Sequence, residues 1–390
     1  MKYICYTIDM IYLDGAATSP LLDCAKNTML EVFEKNLGNA SALHSSGVSA
    51  KNIVESAREK VAKLIGADPD EIVFTSGGSE ANNTIIHTFE NENIIVSSIE
   101  HPSILEPAKK YAKSLIVLPV NEKGVVSSTA LQGQISSTEK HLVSIMLANN
   151  EIGTIEPLEE LFKKKPKNVF FHSDLTQAVG KIPVDVKKLN LDYATISAHK
   201  LGGPIGIGAL FIKKGSPFVP LILGGHQESG KRAGTYPTAQ IAGFGAAAEF
   251  ALKNKTWAIY KERVAFLRNS LAKRILAEVP FSSLNTDLAN SLPNILNVSF
   301  EAAEGESIQL YLDLKQGIEV STGSACASGD GKPSHVIMAQ KNDAEIAHSS
   351  IRFSLAPETT EADIDVVMET LPEIIKNLQS ISTIKTKGKK

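Results

Sequence analysis

A mainly parallel α/β domain followed by a smaller α+β domain is the architecture that three observations predict. The chain has 390 residues, more than one hydrophobic core usually organises. From residue 50 to about 215, short β-branched runs alternate with amphipathic stretches, the pattern of helices covering a parallel sheet. After Gly234 the chain turns helical and then changes character at 282–291, which marks a second unit.

The apolar runs lie at 72–74, 93–97, 114–118, 141–147, 168–172, 193–196 and 209–212, and they predict a seven-stranded sheet. Helical patterns occupy 20–34, 51–65 and 79–89, and alanine-rich 238–252 predicts a helix running on to about 278. Beyond it, strands are expected near 294–300 and 350–354, with helices near 306–314 and 360–378. The expected organisation is a segment 1–15 packing with the smaller domain, a large domain 16–258, and a small domain 259–390 that carries the loop around Cys326.

Composition narrows the function. A chain that is 43% hydrophobic and 21% charged is an ordinary globular protein. Its net charge of −3 opposes direct nucleic-acid binding, and Lys385, Lys387, Lys389 and Lys390 read as a solvated end. Cys5, Cys24 and Cys326 match no metal-ligand spacing, so no metal is expected and a reducing, cytoplasmic setting fits. The first eleven residues contain Asp9 and lack a signal peptide's apolar core, and no apolar run could span a bilayer. Met10 serves equally well as a start.

Ligands of such a fold bind beyond the carboxyl ends of the strands. Three ends are rich in polar groups: Asn149-Asn150-Glu151, His172-Ser173-Asp174 and Ser197-Ala198-His199-Lys200. Gly77-Gly78-Ser79-Glu80 sits between a strand and a helix, where free N–H groups and the helix dipole attract a phosphate. An anion cradle, a carboxylate and a lysine together are what pyridoxal phosphate needs: donors for its phosphate, an amine for its aldehyde, and a partner for its ring nitrogen. Each residue also has a plainer reading. Lys200 could be a solvated lysine, Asp174 a helix cap, Arg352 a packing ion pair and His101 a turn residue, with Asn149 and Gln177 as loop amides and Cys326 a buried thiol.

The chain resembles the cysteine desulfurases of the NifS/IscS type, within the class V aminotransferase superfamily of fold-type I pyridoxal-phosphate enzymes. The resemblance runs from Ile11 to about Leu378. It is carried by Tyr12-Leu13-Asp14-Gly15-Ala16-Ala17-Thr18, Phe74-Thr75-Ser76-Gly77-Gly78-Ser79-Glu80, Glu100-His101, Asn149-Asn150-Glu151-Ile152-Gly153, Ser197-Ala198-His199-Lys200, Arg232-Ala233-Gly234-Thr235, Gly323-Ser324-Ala325-Cys326 and Ser350-Ile351-Arg352-Phe353-Ser354.

The resemblance implies that Lys200 carries the cofactor, that Asp174 partners the pyridine nitrogen, and that His101 stacks on the ring and shuttles protons. Gln177 and Asn149 would lie near the phenolic oxygen, and Gly78, Ser79, Ser197 and His199 would hold the phosphate. Thr235 would reach the cofactor of a neighbouring subunit, implying a homodimer. Arg352, helped by Asn149, would clamp the carboxylate of L-cysteine, and Cys326 would take its sulfur as a persulfide for an acceptor protein of iron–sulfur assembly or thiolation. A selenocysteine lyase and a class V aminotransferase share much of this apparatus, and a non-catalytic sulfur hub would not need Lys200 and Cys326 intact. The match departs at Ala40, Leu175 and Ile205, where the family usually has proline, alanine and lysine. None removes a chemical group assigned above.

Overall fold

The computed structural model describes residues 10–35, 38–136, 138–322 and 332–384. Cys326 and its neighbours 323–331 lie outside them, as do Cys5 and the lysines of the tail. The expected seven-stranded sheet is present: β2 (Ile72–Thr75), β3 (Asn93–Ser97), β4 (Ser114–Leu118), β5 (His141–Ser144), β6 (Val169–Asp174), β7 (Tyr193–Ser197) and β8 (Gly208–Ile212) follow β1 (Ile11–Tyr12) in the chain. Their order is β2-β8-β7-β6-β5-β3-β4, parallel except that β8 is antiparallel to both its neighbours.

Why the runs read as unbroken hydrophobic stretches is visible in how they alternate. Phe74, Ile95, Val143, Phe171, Ala194 and Phe211 face one core, which helices Ser45–Ile65 and Thr238–Lys253 cover. Val73, Ile94, Val96, Leu142, Tyr193 and Leu210 face the other, under helices Gly78–Thr88 and Pro102–Tyr111. A parallel sheet buried on both faces leaves no polar side to show in the sequence. Edge strand β4 is the partly exposed exception.

The two covering helices meet closely because one of them lacks side chains at the crossing. A Cβ on Gly245 would lie 2.7 Å from the Cα and Cβ of Ala57. One residue on, Arg58 makes a buried two-pronged ion pair with Glu228, at 2.7 and 2.8 Å, and Glu228 also accepts the Phe74 N–H at 2.9 Å. These bonds fasten segment 226–237 to β2.

The single long helix expected from 238 to 278 is broken. It ends at Lys253, Lys255 takes φ 46°, and a turn at Thr256–Ile259 and a wide turn at Tyr260–Val264 precede helix Ala265–Glu278. No glycine or proline marks the break; Thr256 Oγ1 instead donates to Gly180 O at 2.7 Å, a tertiary contact invisible to periodicity.

A second core gathers Leu13 and residues from Tyr260 onward. Its antiparallel sheet has the order β12-β10-β9, with β9 (Ser282–Leu284), β10 (Ile295–Phe300) and β12 (Ser350–Ser354). Helices Ala265–Glu278, Gly305–Gln316 and Glu361–Ile381 supply side chains to this core. β1 pairs in parallel with β11 (Ile318–Glu319), so the start of the described chain joins the later unit. Among the described residues no helix is long and apolar enough to cross a membrane.

Gly245→Ala should therefore cost about 1–3 kcal/mol, because the added methyl meets backbone and the helices must part. A lowered urea midpoint with an unchanged slope would show it; an unchanged midpoint would mean that the crossing relaxes freely.

Candidate active site

β2, β3, β5, β6 and β7 all run in one direction, because β8 reverses between β2 and β7. The residues that follow them consequently share one sheet edge. At the end of β7, the turn Ala198–Lys200 presents the lysine. Its amine donates to the carbonyl oxygens of Ala16, at 2.7 Å, and Ala17. Its own carbonyl accepts from Ser19 Oγ at 3.0 Å and from Lys181 Nζ at 3.1 Å. His199 Nδ1 lies 3.1 Å from Thr18 Oγ1. Burial, then the charges of Lys200 and Lys181, press its pKa down to about 4, so the ring is neutral at neutral pH.

β6 delivers Asp174, whose buried carboxylate accepts from Asn82 Nδ2 at 2.8 Å and from the Thr176 N–H at 2.9 Å. Asn82 Nδ2 also reaches Ser103 Oγ at 2.9 Å, and the Ser103 N–H donates to His101 Nδ1 at 3.1 Å. With Nδ1 accepting, the proton of the neutral ring sits on Nε2. Burial lowers the His101 pKa, opposed by Asp174 and reinforced by Lys200. Within the sheet, His172 lies between Ser144 Oγ at 2.8 Å and Thr195 Oγ1 at 3.1 Å. Burial takes it to about 4 despite Asp174.

Between β2 and its helix, no side chain caps Gly78–Thr88, which leaves first-turn N–H groups for an anion. A Cβ on Gly78 would stand 3.5 Å from Thr176 Oγ1 and 3.7 Å from Ser197 Cβ. Among the described residues Thr176 Oγ1 is buried without a hydrogen-bond partner, and so is Gln177 Oε1, whose Nε2 donates to Ala16 O at 2.9 Å. Buried polar atoms are rarely left unpaired. These two, the uncapped helix and the Lys200 amine fit a ligand that carries a phosphate, a carbonyl and a ring hydroxyl.

Other expected residues are placed less directly. Asn149 is fully buried and shapes its own turn, with Oδ1 accepting from the N–H groups of Glu151 and Ile152 at 2.8 and 3.0 Å and Nδ2 donating to Ile99 O at 3.0 Å. Arg352, 3% exposed on β12, donates to Asp14 Oδ1 at 2.7 Å and Asn150 O at 2.9 Å, and its Nε has no partner among the described residues. Ser79 is exposed and Ser197 buried. Thr235 is exposed and lines a cleft of about 220 Å³ with Ser76 and Arg232. On either side of 323–331, Ser321 exchanges backbone hydrogen bonds with Arg352, and Ser334 Oγ donates to the Glu151 carboxylate.

Asn82, Glu100, Asp14 and Lys181 escaped assignment from the sequence. Asn82 follows Gly78 by four residues on the same helical face, a spacing that could have revealed it. Glu100 is fully buried; Oε1 accepts from Ser97 Oγ at 2.5 Å and the Met146 N–H at 2.9 Å, while Oε2 has no partner among the described residues. Burial raises its pKa to about 8.

Residues 11–367 match the family model Aminotransferase class-V. A cysteine desulfurase IscS of Dictyoglomus turgidum is 44% identical over 389 residues, covering 97% of this chain and 98% of that protein. Among solved structures, a NifS-like protein from Rickettsia africae superposes with a TM-score of 0.85 at 35% identity, over 94% of this chain and 99% of its own. Another, described as SspA in complex with cysteine, gives 0.75 at 31% identity, over 90% and 100%.

A carboxyl whose folded pKa of about 8 exceeds its unfolded value of 4.5 binds its proton in the fold but not in the unfolded chain between those values. Its contribution is complete below pH 4.5 and is lost as the pH rises through 8. Glu100→Gln should remove that loss: relative to the native protein, the variant should gain stability between pH 5 and pH 8 in urea unfolding. A difference independent of pH would refute the neutral carboxyl.

Proposed function

The chain belongs to the aminotransferase class-V family and, within it, to the cysteine desulfurases, and on that premise we propose that it moves sulfur from L-cysteine to its own Cys326 with pyridoxal phosphate as cofactor. The observation that carries the reading is the edge where the Lys200 amine, the Asp174 carboxylate and the uncapped helix at Gly78 converge. When bound, the cofactor supplies an electron sink for the substrate's α-carbon.

Lys200 is the residue to hold its aldehyde carbon and then to take the α-proton on Nζ. Asp174, fixed by Asn82 and Thr176, would partner the ring nitrogen and favour its protonated form. Gly78, Ser79, Thr176, Ser197 and neutral His199 would receive the phosphate, and Gln177 Oε1 the phenolic group. His101, with its proton on Nε2, would lie beside the cofactor ring and pass protons. Arg352 binds the substrate carboxylate with N–H groups that now meet Asp14 and Asn150, and Asn149 orders the neighbouring turn.

The sulfur step needs no outside oxidant. The Cys326 thiolate attacks the substrate sulfur, an S–S bond forms as the C–S bond breaks, and the β-carbon takes the electron pair and a proton. L-cysteine plus the thiol becomes L-alanine plus the persulfide; sulfur is oxidised and carbon reduced. The role of Cys326 rests on its motif, and the described residues before and after it, Ser321 and Ser334, bond Arg352 and Glu151. An acceptor protein's thiol would then collect the sulfane sulfur, as iron–sulfur assembly or thiolation requires.

The exposed run Leu221, Ile222 and Leu223 beside the Thr235 segment supports a homodimer in which Thr235 completes a neighbour's site. Division into a cofactor-binding domain 16–258 and a small domain 259–390 is supported by the separate cores. A reducing, cytoplasmic setting suits a reaction that needs a free thiol.

Cys326→Ser should lower sulfide release from L-cysteine by at least about 1000-fold while the bound cofactor's visible absorbance persists; undiminished turnover would sink the assignment. Arg352→Lys, which loses the two-pronged clamp, should raise KM for L-cysteine about 10- to 100-fold with a smaller change in kcat. A selective fall in kcat would point instead to a packing role.

A further inference from the structure

A second cleft, of about 280 Å³, lies where the large sheet's connections meet the helix that leads into the second core. It is lined by Lys181, Pro183, Trp257, Lys261, Arg268 and Ser291, and among the described residues no carboxylate lines it. Two of its three cations are buried: Lys181 is 2% exposed and Arg268 3%.

Neither buried cation has an anionic partner among the described residues. Lys181 donates to the carbonyl of Lys200 at 3.1 Å. Arg268 reaches Ser291 Oγ at 2.7 Å and the carbonyls of Leu292 and Leu288 at 3.1 Å, and its buried Nε has no partner. Buried charges are ordinarily paired, because desolvation is otherwise uncompensated. Burial pulls the Arg268 pKa down to about 10, and burial together with Lys200 pulls Lys181 to about 7.

The geometry points to this cleft as a binding site for a small organic oxyanion: a carboxylate or phosphoryl group among Lys181, Lys261 and Arg268, with the ligand's apolar part against Trp257 and Pro183. The anion supplies the missing counter-charge, and the aromatic and proline faces supply contact area. Through Lys181 the site touches the backbone carbonyl of Lys200. Nothing in the proposed sulfur chemistry uses the cleft, so the inference stands apart from that reading.

Trp257 is the chain's one tryptophan, so tryptophan emission arises at the cleft. The full-length holoenzyme is titrated with inorganic phosphate and, separately, with benzoate, at an ionic strength held constant with sodium chloride. A saturable change in emission with either probe is expected, and the probe that produces it distinguishes a phosphoryl from a carboxylate ligand. Lys261→Glu, at an exposed position, should raise the apparent Kd at least about 10-fold. Lys181→Met, which fills similar space without the charge, should do the same. Emission that never saturates with either probe, that follows chloride equally, or that saturates identically in both variants would overturn the site.

Discussion

The carbonyl oxygen of Ala16 holds the molecule's working parts together. It accepts from the Lys200 amine and the Gln177 amide, while the Ala16 N–H donates to Ser354 Oγ on the second sheet at 3.0 Å. Its neighbours repeat the arrangement: Asp14 pairs with Arg352, the Gly15 N–H donates to Ser354 O, and the Ser19 N–H donates to His199 O. One short stretch of backbone thus ties the lysine-bearing turn of the large sheet to the arginine-bearing strand of the small one. The distance between those two side chains is set by a peptide segment rather than by a flexible linker, which is how a site built from two cores keeps its geometry.

The electrostatics follow from that closure. His199 and His172 are held uncharged by burial, and Glu100 is held protonated. The edge therefore carries few mobile charges apart from Asp174 and Lys200. Dipoles, N–H groups and neutral rings remain, and held in place by the fold they act on a developing charge without first having to reorient.

Much of this was legible in the sequence. Seven apolar runs foretold the seven strands, because a sheet covered on both faces selects continuous β-branched residues. Strand β9, Ser282–Leu284, was not legible, since a serine pair gives no apolar run. Nor was the break at Lys255, whose cause is a bond to Gly180. Lys200, Asp174 and Arg352 could be named from motifs, but Asn82 and Lys181 matter through partners far along the chain. Asn149 has partners that its motif does not show, its Oδ1 accepting from the N–H groups of its own turn and its Nδ2 donating to Ile99 O.

The pairing of β1 with β11, and of Asp14 with Ser354, has a consequence for how the chain is born. The stretch that receives the Lys200 amine is made before the large sheet, yet its partners in the second unit are made long after that sheet. Contacts so distant along the chain form late, after the long loop between them has been closed. A nascent chain can complete its large sheet by about residue 212 and still lack the clasp over its lysine. The reactive edge is closed only after β12 has been made, so a chain stopped before that strand lacks the clasp.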